Sequence, residues 1–299
     1  MPTVRGVFPP VPTIFDADGA LDLDRFARNL SRWNTTGLAG YVVLGSNGEF
    51  ALLDEREKLA LIERAREVTP RDKLLIAGTA VESTRGTIAL TRAAAALGAD
   101  LAIVLTPHYY SPSYDMAAYV RHFGAVADAS PIPILAYNMP SYAKVDLPAS
   151  TLIALANHPN IVGYKESGNN VAKIAEVAAA APHGFAPLAG SGSQYLPARL
   201  VGATGGIMSL AIVAPDACVD LETAIEAGDL PRAQALQRRL LALNNAVTTR
   251  FGIAGVKAAL DLLGYEGGAP REPLAPLSDA DRRELATVLH AAGLVVATT

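Results

Sequence analysis

Disulfides are excluded at once, because the 299 residues contain one cysteine, Cys218, whose place in an apolar helical pattern reads as core filling. Long apolar runs are missing too. The longest, such as Ala93–Leu97 and Val177–Ala181, fall far short of the roughly 20 residues that a membrane-spanning helix needs. No cationic-then-apolar leader or amphipathic transit sequence precedes Val4–Phe8, which sets the expectation of a cytoplasmic protein. The five histidines are scattered without an HxxxH or Cys/His pairing, so the pattern gives little support to a protein-ligated metal. Neither sign of charge is in excess. Lys and Arg number 25 against 29 Asp and Glu, and their interspersion leaves no basic stripe for nucleic acid and no polybasic patch for a membrane. These absences favour small-molecule chemistry.

What is present is apolar content, 51% of residues, enough for a large core in two ordinary domains or in one barrel-sized domain. Short apolar runs alternate with segments of helical period. Strands are expected at Gly6–Pro10, Gly40–Leu44, Leu74–Ala77, Leu101–Leu105, Ile132–Tyr137, Ile161–Lys165, Ala186–Ala189 and Gly206–Met208. Helical patterns follow each of them: Leu23–Trp33, Asp54–Val68, Ser83–Leu97, Tyr114–Ala129, Pro148–Ala156, Asn170–Ala180, Ser193–Val201 and Pro215–Glu226. Eight β-then-α units of this size, with near-continuous apolar strands, match an α/β architecture of the (β/α)8 barrel type. A doubly wound open sheet is the runner-up. Leu230–Asn245, Ile253–Leu263 and Asp279–Ala292 are three further helical patterns after the tight junction at Ala227-Gly228-Asp229. The expected division is a catalytic barrel over residues 1–227 and a helical extension over 228–299 packed on it.

The stretch NIVGYKESGNN, residues 160–170, organises the functional reading. An apolar strand delivers one lysine, Lys165, and stops in a polar loop. A buried ammonium is costly, and its ways out are a carboxylate partner or loss of the proton, which makes the amine a nucleophile. Pairing with Glu166, or snorkelling, is the bland alternative. With a period of two, Pro133, Leu135 and Tyr137 share a face of one strand, and Ile161, Gly163 and Lys165 share a face of the next. Tyr137 can therefore be aimed at Lys165, with Gly163 leaving space beneath; a core tyrosine bonded to some carbonyl is the other reading. At the end of the second strand, Gly45-Ser46-Asn47-Gly48-Glu49 can turn backbone amides inward as a nest for a carboxylate, or can be an ordinary glycine-rich turn. Gly190-Ser191-Gly192-Ser193 and Gly205-Gly206 look like anion cradles, although they lack the full GxGxxG pattern.

Six blocks carry a resemblance: GSNGEF at 45–50, TPHYY at 106–110, YNMP at 137–140, GYKESG at 163–168, LAGSGS at 188–193 and RFGIAGVK at 250–257. In order and spacing, from about residue 5 to residue 295, they resemble the dihydrodipicolinate synthase and N-acetylneuraminate lyase superfamily, and within it are most similar to the 4-hydroxy-2-oxoglutarate aldolases. The resemblance implies a (β/α)8 barrel with a C-terminal helical extension, a homotetramer built as a dimer of dimers, and Schiff-base chemistry on pyruvate-type 2-oxo acids. It implies no added cofactor, since a covalent imine on the lysine serves as the electron sink. Carried over by motif, the Schiff-base lysine falls on Lys165 and the proton-shuttling tyrosine on Tyr137. The polar residues after the second strand fall on Ser46 and Asn47, with the amides from Gly45 fixing the substrate carboxylate. The tyrosine lent across the dimer interface falls on Tyr109, and the backbone groups of the pocket floor on Gly190 and Ile207.

One departure bears on substrate. The synthases carry an arginine two residues after the proline of the YN-x-P block, where it grips the second substrate's carboxylate; here that position is Tyr142. Ser167, two residues after Lys165, is likewise more like the 2-oxoglutarate-type aldolases. The implied reaction is therefore cleavage of 4-hydroxy-2-oxoglutarate to pyruvate and glyoxylate, with Ser167, Tyr142 and the Gly190–Ser193 loop as candidates to hold the distal carboxylate. Sugar-acid (2-keto-3-deoxy) or hydratase-type aldol chemistry comes second and dihydrodipicolinate synthesis third. A non-catalytic 2-oxo-acid sensor is disfavoured because Lys165, Tyr137, Ser46 and Tyr109 are all retained.

Overall fold

The eight apolar runs become eight parallel strands in a computed structural model that describes residues 3–295. They are β1 (Gly6–Phe8), β2 (Gly40–Val43), β3 (Leu74–Gly78), β4 (Leu101–Leu105), β5 (Ile134–Asn138), β6 (Ile161–Glu166), β7 (Ala186–Ala189) and β8 (Gly205–Ile207). Each pairs with its neighbours in sequence, and β1 pairs with β8. The ring is closed between β1 and β2 by Val42 N–H donating to Pro9 O at 3.0 Å and Val11 N–H to Val42 O at 2.9 Å. The open-sheet alternative is thereby overturned. Strands such as β4, buried at all five residues, face side chains inside the barrel and helices outside, which is why they read as unbroken apolar runs.

The helix starts follow from their caps. Asp54 closes a capping box with Glu57 ahead of Glu55–Val68, and Ser83, Asp115 and Asn170 accept from the amide three residues on. The cap residue itself is not helical, so several expected helices begin one or two residues late. Two short helices were not legible: Pro140–Ala143 after β5 and Leu210–Val213 after β8. Four residues are about one turn, too short for a periodic apolar pattern to form.

Register is what sets the site. Leu135 pairs with Gly163 although Ile134 pairs with Ile161, so Val162 is an extra residue in β6. The bulge moves the partner of Tyr137 from Tyr164 to Lys165 and the partner of Asn138 to Glu166. Gly163 has a reason beyond room beneath the lysine: a Cβ there would lie 2.2 Å from the Ala186 carbonyl oxygen of β7.

Beyond the barrel run the helices Leu230–Asn245, Gly252–Leu262 and Asp279–Ala291. They are tied to the β2 end of the barrel by a buried ion pair, Lys257 Nζ to Glu49 Oε1 at 2.6 Å, while Arg271 N–H donates to Glu49 Oε2 at 2.8 Å and its guanidinium grips Glu57. Between the first two helices the chain widens into a π turn, Ala246–Arg250, closed by Phe251 N–H donating to Ala246 O at 2.9 Å. Among the described residues, no helix is long and apolar enough to cross a membrane, and no group of three or more His, Cys, Asp or Glu side chains is placed to hold a metal ion.

Candidate active site

Lys165, one residue from the carboxyl end of β6, projects into the barrel mouth and is 6% exposed. Its Nζ donates to Tyr137 Oη at 3.2 Å and lies 4.3 Å from the centre of the tyrosine ring. Tyr137 Oη is in turn 3.5 Å from Ser46 Oγ. Burial pushes the Tyr137 hydroxyl up, but the nearby Lys165 charge and hydrogen bonds with Ser46, Lys165 and Ser167 outweigh it, leaving the phenol below its ordinary value. A phenol poised in that way can give and take a proton beside the lysine nitrogen.

Glu166 is not the partner of Lys165. Successive residues of a strand face opposite ways, so Glu166 points outward and is buried among other groups. Asn138 Nδ2 donates to its two carboxylate oxygens at 3.1 and 3.2 Å, Gly168 N–H donates to Oε1 at 2.6 Å, and Lys173 Nζ lies 3.3 Å from Oε2. Lys173 also pairs with Asp146. Burial raises the Glu166 carboxyl, and these contacts only partly offset it. Among the described residues, no ion pair includes Lys165.

Above Lys165 opens a cleft of about 500 Å³. Ser46 and Asn47 enter it from a 3₁₀ turn after β2, and Asn47 Nδ2 donates to Ser209 Oγ at 2.7 Å. The amides of Ser46 and Asn47 donate to no acceptor among the described residues, so both are available to a ligand. Ser167 and Gly190 line the cleft side by side, and a Cβ on Gly190 would meet Ser167 Oγ at 2.1 Å. Tyr142, 56% exposed, stands at the rim.

Three residues expected at the site do not line this cleft. Gly45 lines a small apolar void beneath Tyr137 and Lys165 rather than the cleft. Ile207 is fully buried, paired with Phe8 across β8 and β1. Tyr109 is 74% exposed and does not reach the cleft of its own chain; its amide and that of His108 both donate to Glu82 Oε2 at 3.0 Å.

The larger omission is a whole wall. Asn244, Asn245, Val247, Thr248, Thr249, Gly252 and Ile253 of the C-terminal extension line the cleft, where an appendix packed on the barrel was expected. The Asn-Asn and Thr-Thr pairs interrupting an otherwise helical pattern were the available signal. Among the described residues, Lys165 is the one charged side chain that lines the cleft. The rest are hydroxyls, amides, glycines and apolar groups.

This geometry agrees with the relationships of the sequence. The profile of the Dihydrodipicolinate synthetase family matches residues 3–292. A 4-hydroxy-tetrahydrodipicolinate synthase of an Exiguobacterium species is 37% identical over 95% of this chain and 97% of its own. A protein of Emericella nidulans named "Probable 4-hydroxy-2-oxoglutarate aldolase, mitochondrial" is 36% identical over 93% of this chain and 92% of its own. Among solved structures, a prophage protein of E. coli K12 of the dihydrodipicolinic acid synthase family, in complex with pyruvate, superposes with a TM-score of 0.92 at 30% identity, covering 98% of this chain and all of its own.

Proposed function

The chain belongs to the dihydrodipicolinate synthetase family, and from that premise we propose that this carbon–carbon lyase cleaves 4-hydroxy-2-oxoglutarate to pyruvate and glyoxylate through an imine on Lys165. The observation that carries the reading is the Tyr137–Lys165 pair: a buried lysine with no carboxylate partner among the described residues, 3.2 Å from a tyrosine hydroxyl, at the floor of an open cleft. The neutral amine adds to the C2 carbonyl, and loss of water leaves a protonated imine. Tyr137 then takes the proton from the C4 hydroxyl as the C3–C4 bond breaks, the bonding pair moves into the imine as an enamine, and the aldehyde leaves. Protonation at C3 and hydrolysis release pyruvate and restore the amine. The free amides of Ser46 and Asn47 suit the C1 carboxylate, and the absence of a side chain at Gly190 lets Ser167 Oγ keep its place in the cleft wall.

The synthase reading is disfavoured by the lining. Aspartate semialdehyde carries an ammonium that 4-hydroxy-2-oxoglutarate lacks, and among the described residues no carboxylate lines the cleft to receive it. Losing a charge-assisted pair costs about 1.5–3 kcal/mol, or roughly ten- to a hundred-fold in recognition. A second reading, cleavage of a 2-keto-3-deoxy sugar acid, draws support from the same uncharged, hydroxyl-rich walls. We propose further that Tyr109 serves the site of a second copy, since its own chain leaves it exposed.

Borohydride reduction in the presence of pyruvate tests the chemistry: a stable adduct is expected on Lys165 in the digest, and an adduct on another lysine, or none in active protein, overturns it. Steady-state kcat/KM on one preparation tests the substrate. Cleavage of 4-hydroxy-2-oxoglutarate is expected to exceed condensation of pyruvate with aspartate semialdehyde by at least roughly ten-fold. A preference for the semialdehyde would return the chain to the synthases, and a preference for 2-keto-3-deoxygluconate would move the second reading to first.

A further inference from the structure

The helix Leu230–Asn245 does not simply end at the barrel mouth. Its hydrogen bonding passes from the α to the π pattern at Ala246–Arg250, which admits an extra residue into the turn. π turns are disfavoured against plain helix and persist where the placement of side chains repays them. Here the turn brings Asn245, Thr248 and Thr249 to the cleft, while Arg250 is held away from it by Glu284 and by the face of Phe251, 4.9 Å from its guanidinium. Gly252, at φ +53°, then turns the chain into the next helix; nothing crowds its missing Cβ, so the backbone conformation is what calls for glycine. The following helix is fixed by the buried Lys257–Glu49 pair to the loop that carries Ser46 and Asn47. The C-terminal wall of the cleft and the β2 loop are therefore tied together by a buried ion pair, although some 200 residues separate them in sequence.

The side chains of this wall are neutral and largely uncommitted. Thr248 Oγ1 donates to Asn244 O at 2.6 Å, and Thr249 Oγ1 has only the Thr248 hydroxyl, at 3.5 Å. Exposed to water they gain nothing by facing the cleft. Beside a bound 2-oxo acid they offer donors and acceptors to whatever extends beyond C4.

We propose that the π turn Ala246–Arg250 is the specificity element for the aldehyde half of the substrate, reading an oxygen-rich, non-cationic tail through Asn245, Thr248 and Thr249. The proposal deepens the Schiff-base reading and rests on it. Lys165, Tyr137 and the β2 loop handle the pyruvate half, common to every substrate of such an enzyme. The π turn handles the half that differs.

The test separates the two halves. Thr249→Val and the Thr248→Val/Thr249→Val pair are compared with wild type for borohydride trapping of pyruvate on Lys165, and for kcat/KM with 4-hydroxy-2-oxoglutarate and with 2-keto-3-deoxygluconate. Trapping is expected unchanged, while kcat/KM for the better substrate falls roughly ten- to a hundred-fold in the double variant, the loss of one or two hydrogen bonds to a polar or charged tail. Thr249→Lys, an exposed change that leaves the Asn244 contact intact, is expected to shift the ratio of the two kcat/KM values at least roughly five-fold toward the dicarboxylate. A kcat/KM within two-fold of wild type in the double Val variant, or a ratio within two-fold of wild type in Thr249→Lys, with normal trapping, overturns the proposal and leaves the Schiff-base reading standing. Absence of trapping in the wild-type protein overturns both.

Discussion

Tyr137 and Lys165 are held in contact by groups that pull against each other. Burial alone would keep the phenol protonated, yet the lysine and the hydroxyls of Ser46 and Ser167 draw it below its ordinary value, so its proton is exchangeable at lower pH than in water. Tyr137→Phe keeps the ring and its packing and removes only the oxygen. Turnover is expected to drop by about 10²–10⁴, the usual worth of a positioned proton shuttle, with pyruvate still trapped on Lys165. The alkaline limb of the rate profile, expected at lower pH than a free phenol titrates, should vanish with it. Turnover within a few-fold of wild type would remove Tyr137 from the chemistry. The lysine and tyrosine were legible because each ends an apolar strand on the inward parity. That they can face one another followed from the two-residue period of each strand, but their pairing rests on the extra residue at Val162, which leaves no mark in that period.

At the scale of elements, the same register that joins Tyr137 to Lys165 inside the barrel joins Asn138 to Glu166 behind it. Asn138 also donates to Asp146 Oδ1 at 2.7 Å and accepts from Leu147 N–H at 2.9 Å, so it anchors the segment carrying Tyr142. Glu166 accepts from Gly168 N–H and so anchors the loop carrying Ser167. The charges behind the site thus position the cleft from outside it. Because burial raises the Glu166 carboxyl, the folded chain binds that proton more tightly than the unfolded one. The contribution is present at low pH and lost as pH climbs from the ordinary glutamate value through the raised one. Glu166→Gln is therefore expected to be no less stable than wild type at neutral pH, with a flatter stability profile in that window. Its kcat is expected to fall on the order of ten-fold through loosened loops, with partial rescue in Glu166→Asp. Thermal melts across pH beside kcat on the same variants decide it, and a large drop in Tm at neutral pH with unchanged kcat per folded enzyme would make Glu166 merely structural. Caps such as Asp54 and Ser83 announced the helices in sequence. The π turn left only a weak mark, the polar Asn244-Asn245 and Thr248-Thr249 pairs, which interrupt the apolar pattern without revealing a change of helical pitch.

At the scale of the molecule, the chain gathers Lys165, Tyr137 and Ser46 in one place and leaves the fourth expected catalytic side chain, Tyr109, on the surface. Tyr109 and Tyr110 stand side by side on the surface, edge to face at 4.9 Å, with the Tyr109 backbone fixed by Glu82. Two exposed aromatic rings on a held backbone are what a contact surface offers, because burying them against a partner releases water without the cost of ordering the loop first. If Tyr109 enters the cleft of a second copy, the hydroxyl relay from Ser46 and Tyr137 acquires a path toward solvent that the single chain lacks. Tyr109→Phe is then expected to slow turnover roughly ten-fold or more while leaving trapping on Lys165 intact, and dilution to single chains to abolish activity. The decisive arm is complementation. Lys165→Ala and Tyr109→Phe chains, each impaired alone, are mixed after dissociation and reassembled. In a mixed pair one of the two sites holds a wild-type lysine from one chain and a wild-type tyrosine from the other, so about a quarter of wild-type activity should return in a random mixture of symmetric dimers. Recovery no greater than the sum of the two parents, in a preparation shown to contain mixed pairs, would mean that each chain works alone.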